Sequence, residues 1–503
     1  MEETLTEALL TTEDCSQEQQ QTTILLISTS KQDNSNTVTE NQENTSTALK
    51  KISSGALKVA FSFFLNASNR NILLVFLKYT SDDTEQAAVT LGNSLMNVLS
   101  IAVFISMSVG LMNRLSHSFG AKNYRLTGFY LHRGFLINLI LAFICSFLVI
   151  FSPLIFQAFG YNEKLLGHMR EFMNWSLPSF LGFIVFQTLS SYLSAVKVFD
   201  DAAKVQIISS TAYWLSAYIL IIKMDMGLKG AALALNVQQT VSGILIFAYC
   251  KIKNPVKETF FSFQKESFQE LWNLFKYEFT IGAMIFLEWG GYELINLFAG
   301  TLSVAEVAGF MIALNSQSLF FCVALSINIT TSSFIGNLMG EGKTKTAKMY
   351  LKVGVLTSLA ISMLVEVGVG LFASEFAEFY SNDKEINYYT ALILRLFLLL
   401  YPTDFVHTVL SGAMRAIGKG KLGSLVILVN LYVISIPMTV GLVLFAGAGI
   451  VGVGLAFVIG IFLDTCAYLY ILSKADWEEQ SKEIIKKLKE DESVLNSNDE
   501  ENK

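Results

Sequence analysis

FYLHRGFLINLILAFICSFLVIF, residues 129–151, settles the class of fold. An amphipathic helix of a water-soluble protein turns a polar face outward every 3.6 residues. Past Arg133 this stretch has no such face, only Asn138 and Ser146 among apolar side chains. A helix needs about 20 apolar residues to cross ~30 Å of hydrocarbon, and this one has them.

Working outward, eleven further apolar stretches lie near 54–78, 87–113, 172–196, 205–223, 229–250, 277–299, 307–335, 350–373, 388–413, 423–445 and 449–473. The expectation is an all-α integral membrane protein with twelve transmembrane helices. Composition agrees: of 503 residues 52% are hydrophobic and 16% charged, against about 25% charged in soluble domains. Mean hydropathy is +0.48. Only five prolines interrupt the chain, which suits long helices.

Residues 1–50, rich in Gln, Asn, Ser, Thr and Glu, read as a disordered tail. ILLIS at 24–28 is too short for a secretory leader. Residues 474–503 read as a solvated acidic tail with a turn or two of helix held by Glu483 and Lys487. The net charge of −6 comes largely from these tails and gives no reason to expect nucleic acid. Cys15, Cys145, Cys250, Cys322 and Cys466 are scattered, without metal-ligand or disulfide spacing.

Lys and Arg in short loops set orientation. With a cytosolic N-terminus the inner connections carry 18 of them and the outer ones six, the outer ones diluted by SDDTEQ (81–86) and SNDKE (381–385). Both tails are therefore expected in the cytosol, where the sequon at Asn44 would stay unglycosylated.

The chain also repeats itself. SFGAKNYRLTGFYLHRG (118–134) lies over LMGEGKTKTAKMYLKVG (338–354), and GLKGAALAL (227–235) over GIVGVGLAF (449–457), at offsets of 220 and 222. LP (177–178) and YP (401–402) keep nearly the same spacing. Six spans per repeat is an even number, so the halves are parallel: an N-lobe at 51–252 and a C-lobe at 277–473, joined by a linker at 253–276 with an amphipathic segment. Two such lobes are the plan of a secondary transporter, with the substrate site between them near the midplane.

Within IFLEWGGYELINLF (285–298), Glu288 and Glu293 interrupt an apolar span, at an insertion cost of ~2.5–3.5 kcal/mol each. Glu288 and Tyr292 share a helical face, and Glu293 points ~140° away. Gly290 and Gly291 thin the helix there. A carboxyl in a dry cavity binds a proton or a cation at the same oxygens, so it can carry each in turn. Asp404, two residues after Pro402, and His407 at i+3 offer a second acid with a proton partner. Tyr292 and Trp289 could stack on an organic cation. Plain packing is the competing reading of each. Glu366, Asp464 and Arg70 are also intramembrane charges, which an ion pair or a span boundary would explain. Arg415, with Lys419 and Lys421, reads as a loop anchor.

LSHSFGAKNYRLTGFYLHRG, SSFIGNLMGEGKTKTAK, LEWGGYE and YPTDFVHTVLSGAMRAIGKGK together resemble the signatures of the multidrug and toxic compound extrusion (MATE) transporters, eukaryotic type, over residues 55–470. The resemblance implies an antiporter that expels organic cations or other amphipathic compounds in exchange for H⁺ or Na⁺. It adds Asn97, at the family's second-span Asn, and Asn315, where some animal members carry an acid. His117 stands where the first lobe usually has Gln. The first span carries LNASNRN (65–71) instead of the family's L-x-x-P and acid, so the second lobe is the expected coupling centre.

The expected cation, proton and substrate site is thus Glu288, Asp404, Glu293, Asn97, Tyr292, Asn315 and His407. No catalytic group, metal or cofactor is expected beyond the coupling ion. The chain is expected to work as a monomer in the plasma membrane or a vacuolar or other organelle membrane. A lipid or oligosaccharide flippase of the same superfamily is the alternative, but it should line its cavity with basic residues for phosphate. An enzyme is disfavoured by four histidines with no H-E-x-x-H or G-x-S-x-G.

Overall fold

The computed structural model describes residues 44–80, 82–158, 162–300 and 302–501. The expected disordered tail lies outside the described residues as far as 43, and from Thr45 the chain is already helical. Helix α1 is Thr45–Thr80. Helix α2 is one rod built from Asp83–Met96, a π-helical stretch Asn97–Ile101, and Ala102–Gly120. Helix α3 is Tyr124–Ala158, and α4 is a bent pair, Glu163–Ser176 and Ser179–Ala195. Helix α5 is Asp200–Ala217 with a π-helical end Tyr218–Lys223, and α6 is Gly227–Lys253.

The second set follows the first. Helix α7 is Leu271–Ala299, α8 Val304–Glu341, and α9 Thr344–Tyr380. Helix α10 is again a bent pair, Lys384–Leu396 and Leu400–Ala416. Helix α11 starts at Gly420–Ile427, passes through a π-helical Leu428–Ser435 and a short Ile436–Val440, and ends π-helical at Gly441–Phe445. Helix α12 is Gly449–Lys474. Eight of these helices alone, and ten counting each bent pair as one, are long and apolar enough to cross a membrane. Helices α1 and α7, of 36 and 29 residues, complete the two sets of six.

The repeat reaches into details. The bends measure 52° in α4 and 55° in α10. Pro178 precedes the second half of α4, and Pro402 sits in the first turn of the second half of α10, where its missing N–H leaves no bond unmade. Four of the six helices that start on the side away from the chain's tails carry a side-chain cap, and α6 and α12, entered through Met226 and Ala448, do not. Asp82 caps α2, Asn162 α4, Ser303 α8 and Asp383 α10, each accepting from a backbone N–H of the first turn.

The lobes meet on the tail side. Helix α2 packs against α7 and α8 through Ala102–Gly120, whereas its outer half, Asp83–Met96, packs on α4 of its own lobe. A Cβ on Gly120 would fall 1.9 Å from the Asn337 carbonyl O, and one on Gly340 would fall 2.0 Å from the His117 carbonyl O. Only glycine permits that crossing. Two hydrogen bonds lock it reciprocally. His117 Nε2 lies 2.7 Å from the carbonyl O of Ala416, at the end of α10, and Asn337 Nδ2 donates over 2.8 Å to that of Ala195, at the end of α4. Each buried side chain thus ties off a helix end in the opposite lobe; leaving such a carbonyl unmet costs ~1–3 kcal/mol.

The linker is pinned to α3: His132 meets Ser267 Oγ and the Phe261 carbonyl O, both at 3.0 Å, and stacks on Phe263 at 4.3 Å. Where the sequence suggests a solvated tail, the structure carries a helix α13, Trp477–Glu501. It buries Trp477, Ile484, Leu488 and Leu495, which recur at helical spacing and form an apolar stripe. Ser481 Oγ donates to the Met339 carbonyl O at 2.6 Å, and Asp491 accepts from Arg114 Nη2 at 2.9 Å and from the Tyr130 hydroxyl. The helix therefore straps the C-lobe to the N-lobe.

Candidate functional site

The acids converge in the C-lobe. One turn of α7 brings Glu288 beneath Tyr292, whose hydroxyl donates to Glu288 Oε1 over 3.4 Å. The same oxygen lies 3.9 Å from Nδ1 of His407 on α10. The Glu288 side chain keeps 12% exposure and His407 only 1%, so the carboxyl sits at the mouth of the group and the imidazole at its floor. His407 stacks on Tyr468 of α12, with centroids 5.3 Å apart, and neither ring nitrogen has a hydrogen-bond partner.

One turn before His407, buried Asp404 accepts a 2.6 Å hydrogen bond from Gln317 Nε2 of α8. Buried Asp464 on α12 accepts one of 2.7 Å from Asn430 Nδ2, inside the π-helical stretch of α11. Such stretches often mark functional positions because their widened turn re-aims side chains. Asp404, Asp464 and Arg415 all act electrostatically on Glu288. Arg415 is buried, not a surface anchor as its loop position suggests. It folds back to Ser411 Oγ at 2.7 Å and Asn328 Oδ1 at 3.4 Å. Three acidic side chains thus lie buried or nearly so in the C-lobe, while Arg415 is held by Ser411 and Asn328 and forms no ion pair with them among the described residues. Ionised together the three acids would leave a buried net negative charge, so the cluster calls for a mobile cation or protons.

Beside it, Tyr292, Leu431, Ser435, Phe457 and Asp464 line a narrow crevice of about 10 Å³, room for about one water in this closed conformation. The Tyr292 and Phe457 rings pack at 4.6 Å. Close approach of α7 and α11 needs Gly291, where a Cβ would lie 2.1 Å from Leu431.

Four of the seven expected residues therefore come together: Glu288, Tyr292, Asp404 and His407. Glu293 is exposed on the other side of α7. Asn315 is exposed too, and stands ~200° around α8 from Gln317, which makes the contact with Asp404. Asn97 opens the π-helical stretch of α2 in the N-lobe, half-buried, and no hydrogen bond joins it to the acids among the described residues. Trp289 and Glu366 are half-buried, and the side chain of Arg70 lies outside the described residues. Sequence reasoning left Asp464 unassigned and passed over Gln317, Asn430 and Tyr468. The available signal was polarity inside an apolar span, which does not say which neighbour a side chain faces.

The MatE family model matches residues 59–219 and 281–440, one block in each lobe. Multidrug and toxin extrusion protein 1 of Danio rerio is 23% identical over 402 residues, covering 80% of this chain and 68% of its own length. Protein DETOXIFICATION 9 of Arabidopsis thaliana is 26% identical over 404 residues, covering 80% and 83%. Among solved structures, the eukaryotic MATE transporter AtDTX14 superposes with a TM-score of 0.82 at 20% identity, over 88% of this chain and 99% of that one. The Vibrio cholerae MATE transporter VcmN does so with 0.76 at 16%, over 86% and 99%. At such identities the structural likeness speaks for the fold.

Proposed function

Because this chain belongs to the MatE family and is a multi-pass membrane transporter, not an enzyme, we propose that it is a secondary active antiporter exporting monovalent organic cations or other amphipathic compounds in exchange for protons. The observation that carries this is the excess of acid buried in the C-lobe: Glu288, Asp404 and Asp464 are held by Tyr292, Gln317 and Asn430, while Arg415 is engaged by Ser411 and Asn328. A proton on a carboxyl oxygen or an organic cation beside it restores the balance, and either displaces the other. Tyr292 holds the Glu288 oxygen and offers a ring face to the cation, while Gln317 fixes Asp404. His407, unpartnered and 3.9 Å from Glu288, is placed to relay a proton.

Alternating access follows from the tail-side seam. With His117, Asn337 and α13 joining the lobes there, this conformation is closed on the tail side. The loop charges assign that side to the cytosol. The chain works as a monomer in the plasma membrane or an organelle membrane, without cofactor. Reconstitution into vesicles tests the reading. A pH gradient alone should drive uptake of a fluorescent organic cation; a response to a Na⁺ gradient only would replace the proton by Na⁺, and a response to neither would overturn antiport.

A further inference from the structure

Ten residues before Glu288 on α7 stands Glu278, a carboxyl with no place in that cycle. Its side chain is fully shielded from solvent, and neither carboxyl oxygen has a hydrogen-bond partner. It lies at the seam between the lobes: a Cβ on Gly110 of α2 would fall 2.6 Å from both the Cα and the carbonyl O of Glu278. Ten residues of helix are ~15 Å, so Glu278 sits half a membrane thickness from Glu288, toward the tails.

Among the described residues, none of the charged or titratable groups of the elements packed there bonds to Glu278. From α2 comes Arg114, paired with Asp491 of α13 at 2.9 Å and lying over the rings of Tyr130 and Tyr277 at 5.3 and 4.6 Å. From α3 come Tyr130, which donates to Asp491, and Arg133, which donates to the Glu266 carbonyl O at 3.0 Å. Lys421 of α11 is exposed. On α7 itself, Lys276 lies over the Trp272 ring at 5.2 Å, and the buried Tyr277 hydroxyl has no partner either. An ionised Glu278 would be a sealed charge without donor or counter-ion, a state proteins avoid. A neutral acid is tolerated there.

We propose that Glu278 is a second proton- and cation-binding carboxyl on the transport path. It takes a proton from tail-side water as the lobes close. When they part it releases that proton and, as a carboxylate, is the first acid to meet a monovalent organic cation entering from that side. One O–H bond forms on closure and breaks on opening, with the proton drawn from and returned to the same water. Glu278 therefore makes loading sensitive to tail-side pH without adding a transported proton. The organic cation in this proposal rests on the antiport reading; the proton on the closed seam does not.

Two measurements on the full-length protein separate them. Infrared difference spectra at neutral pH should show a protonated-carboxyl C=O band that is missing from Glu278→Gln, with Glu278→Met as second variant should the first misfold. Spectra that superimpose overturn the proposal. In vesicles, with tetramethylammonium presented on the tail side, the KM of the native protein should rise several-fold as tail-side pH falls. Glu278→Gln should start from a higher KM and show a shallower pH dependence, the remainder belonging to proton competition at Glu288 and Asp404. A variant that keeps the native KM and profile overturns the loading role. If the native protein exchanges no cation while the infrared band is present, antiport is what fails and the sealed proton stands.

Discussion

Placing one methyl group on Gly340 should pry the tail side open. In the closed structure that carbon would sit 2.0 Å from the His117 carbonyl O and 2.9 Å from its carbonyl C. Both are backbone atoms and cannot rotate aside. Reaching an ordinary contact of 3.4 Å requires the two helix ends to part by 1.4 Å. The His117–Ala416 bond, now 2.7 Å, breaks at that displacement. Overpacking costs ~1–3 kcal/mol, and stranding a buried donor and acceptor another ~1–3 kcal/mol. None of this burdens a conformation in which the lobes are apart on the tail side. At 1.4 kcal/mol per decade the ratio of open to closed should rise at least ~30-fold. Electron–electron distance measurements between spin labels at Arg125→Cys on α3 and Lys345→Cys on α9 should gain a longer component in Gly340→Ala. Gly120→Ala should do the same, since its methyl would meet the Asn337 carbonyl O at 1.9 Å. If both variants fold and keep the native distances, the glycine crossing does not hold the lobes together.

Replacing Glu288 with Gln keeps its shape but removes its charge and proton, so folding should persist while vesicle efflux under a pH gradient falls at least tenfold; normal efflux would reduce Glu288 to a packing group. Asp404→Asn should behave alike, because both acids serve one cation. A protease-accessible tag at 381–385 should be cut from outside intact cells and one at 261–266 should not; the reverse would invert the assigned topology. Asp476 caps α13, and hydrogen bonds from the Glu479 and Glu478 N–H groups hold its carboxyl below the usual carboxylate range. A carboxyl so depressed contributes stability above its unfolded value of ~3.9, lost as pH falls through the lower folded value. Hydrogen exchange in the first turn of α13 should accelerate only in that acid window and lose the step in Asp476→Asn, which caps without titrating; an identical profile in that variant would place the effect elsewhere.

Much was legible in the sequence because the bilayer enforces it locally. A span must be apolar over its whole length and loops must carry their charges on one side, so FYLHRGFLINLILAFICSFLVIF and the 220-residue offset foretold helices and lobes; that the matching LP and YP positions fall at paired bends came from the structure. LEWGGYE likewise announced Glu288 and Tyr292 on one face. Helical phase on α7 also separates Glu293 from them, without any tertiary contact.

Only the tertiary structure decided which distant side chains share a volume. Asp464 joins Glu288 because α12 packs against α10. Gln317, not Asn315, meets Asp404 because the rotation of α8 about its axis is set by its neighbours, and two positions on a helix face opposite ways. Arg415 turned inward for the same reason. Glu278 stood at the edge of its span, where a charge usually reaches water; the crossing at Gly110 sealed it. The amino-acid pattern records each residue's preference for water or lipid, and that preference is local. Whether a charge meets a partner, a cavity or a closed seam depends on helices hundreds of residues apart, whose rotation and approach are fixed by packing.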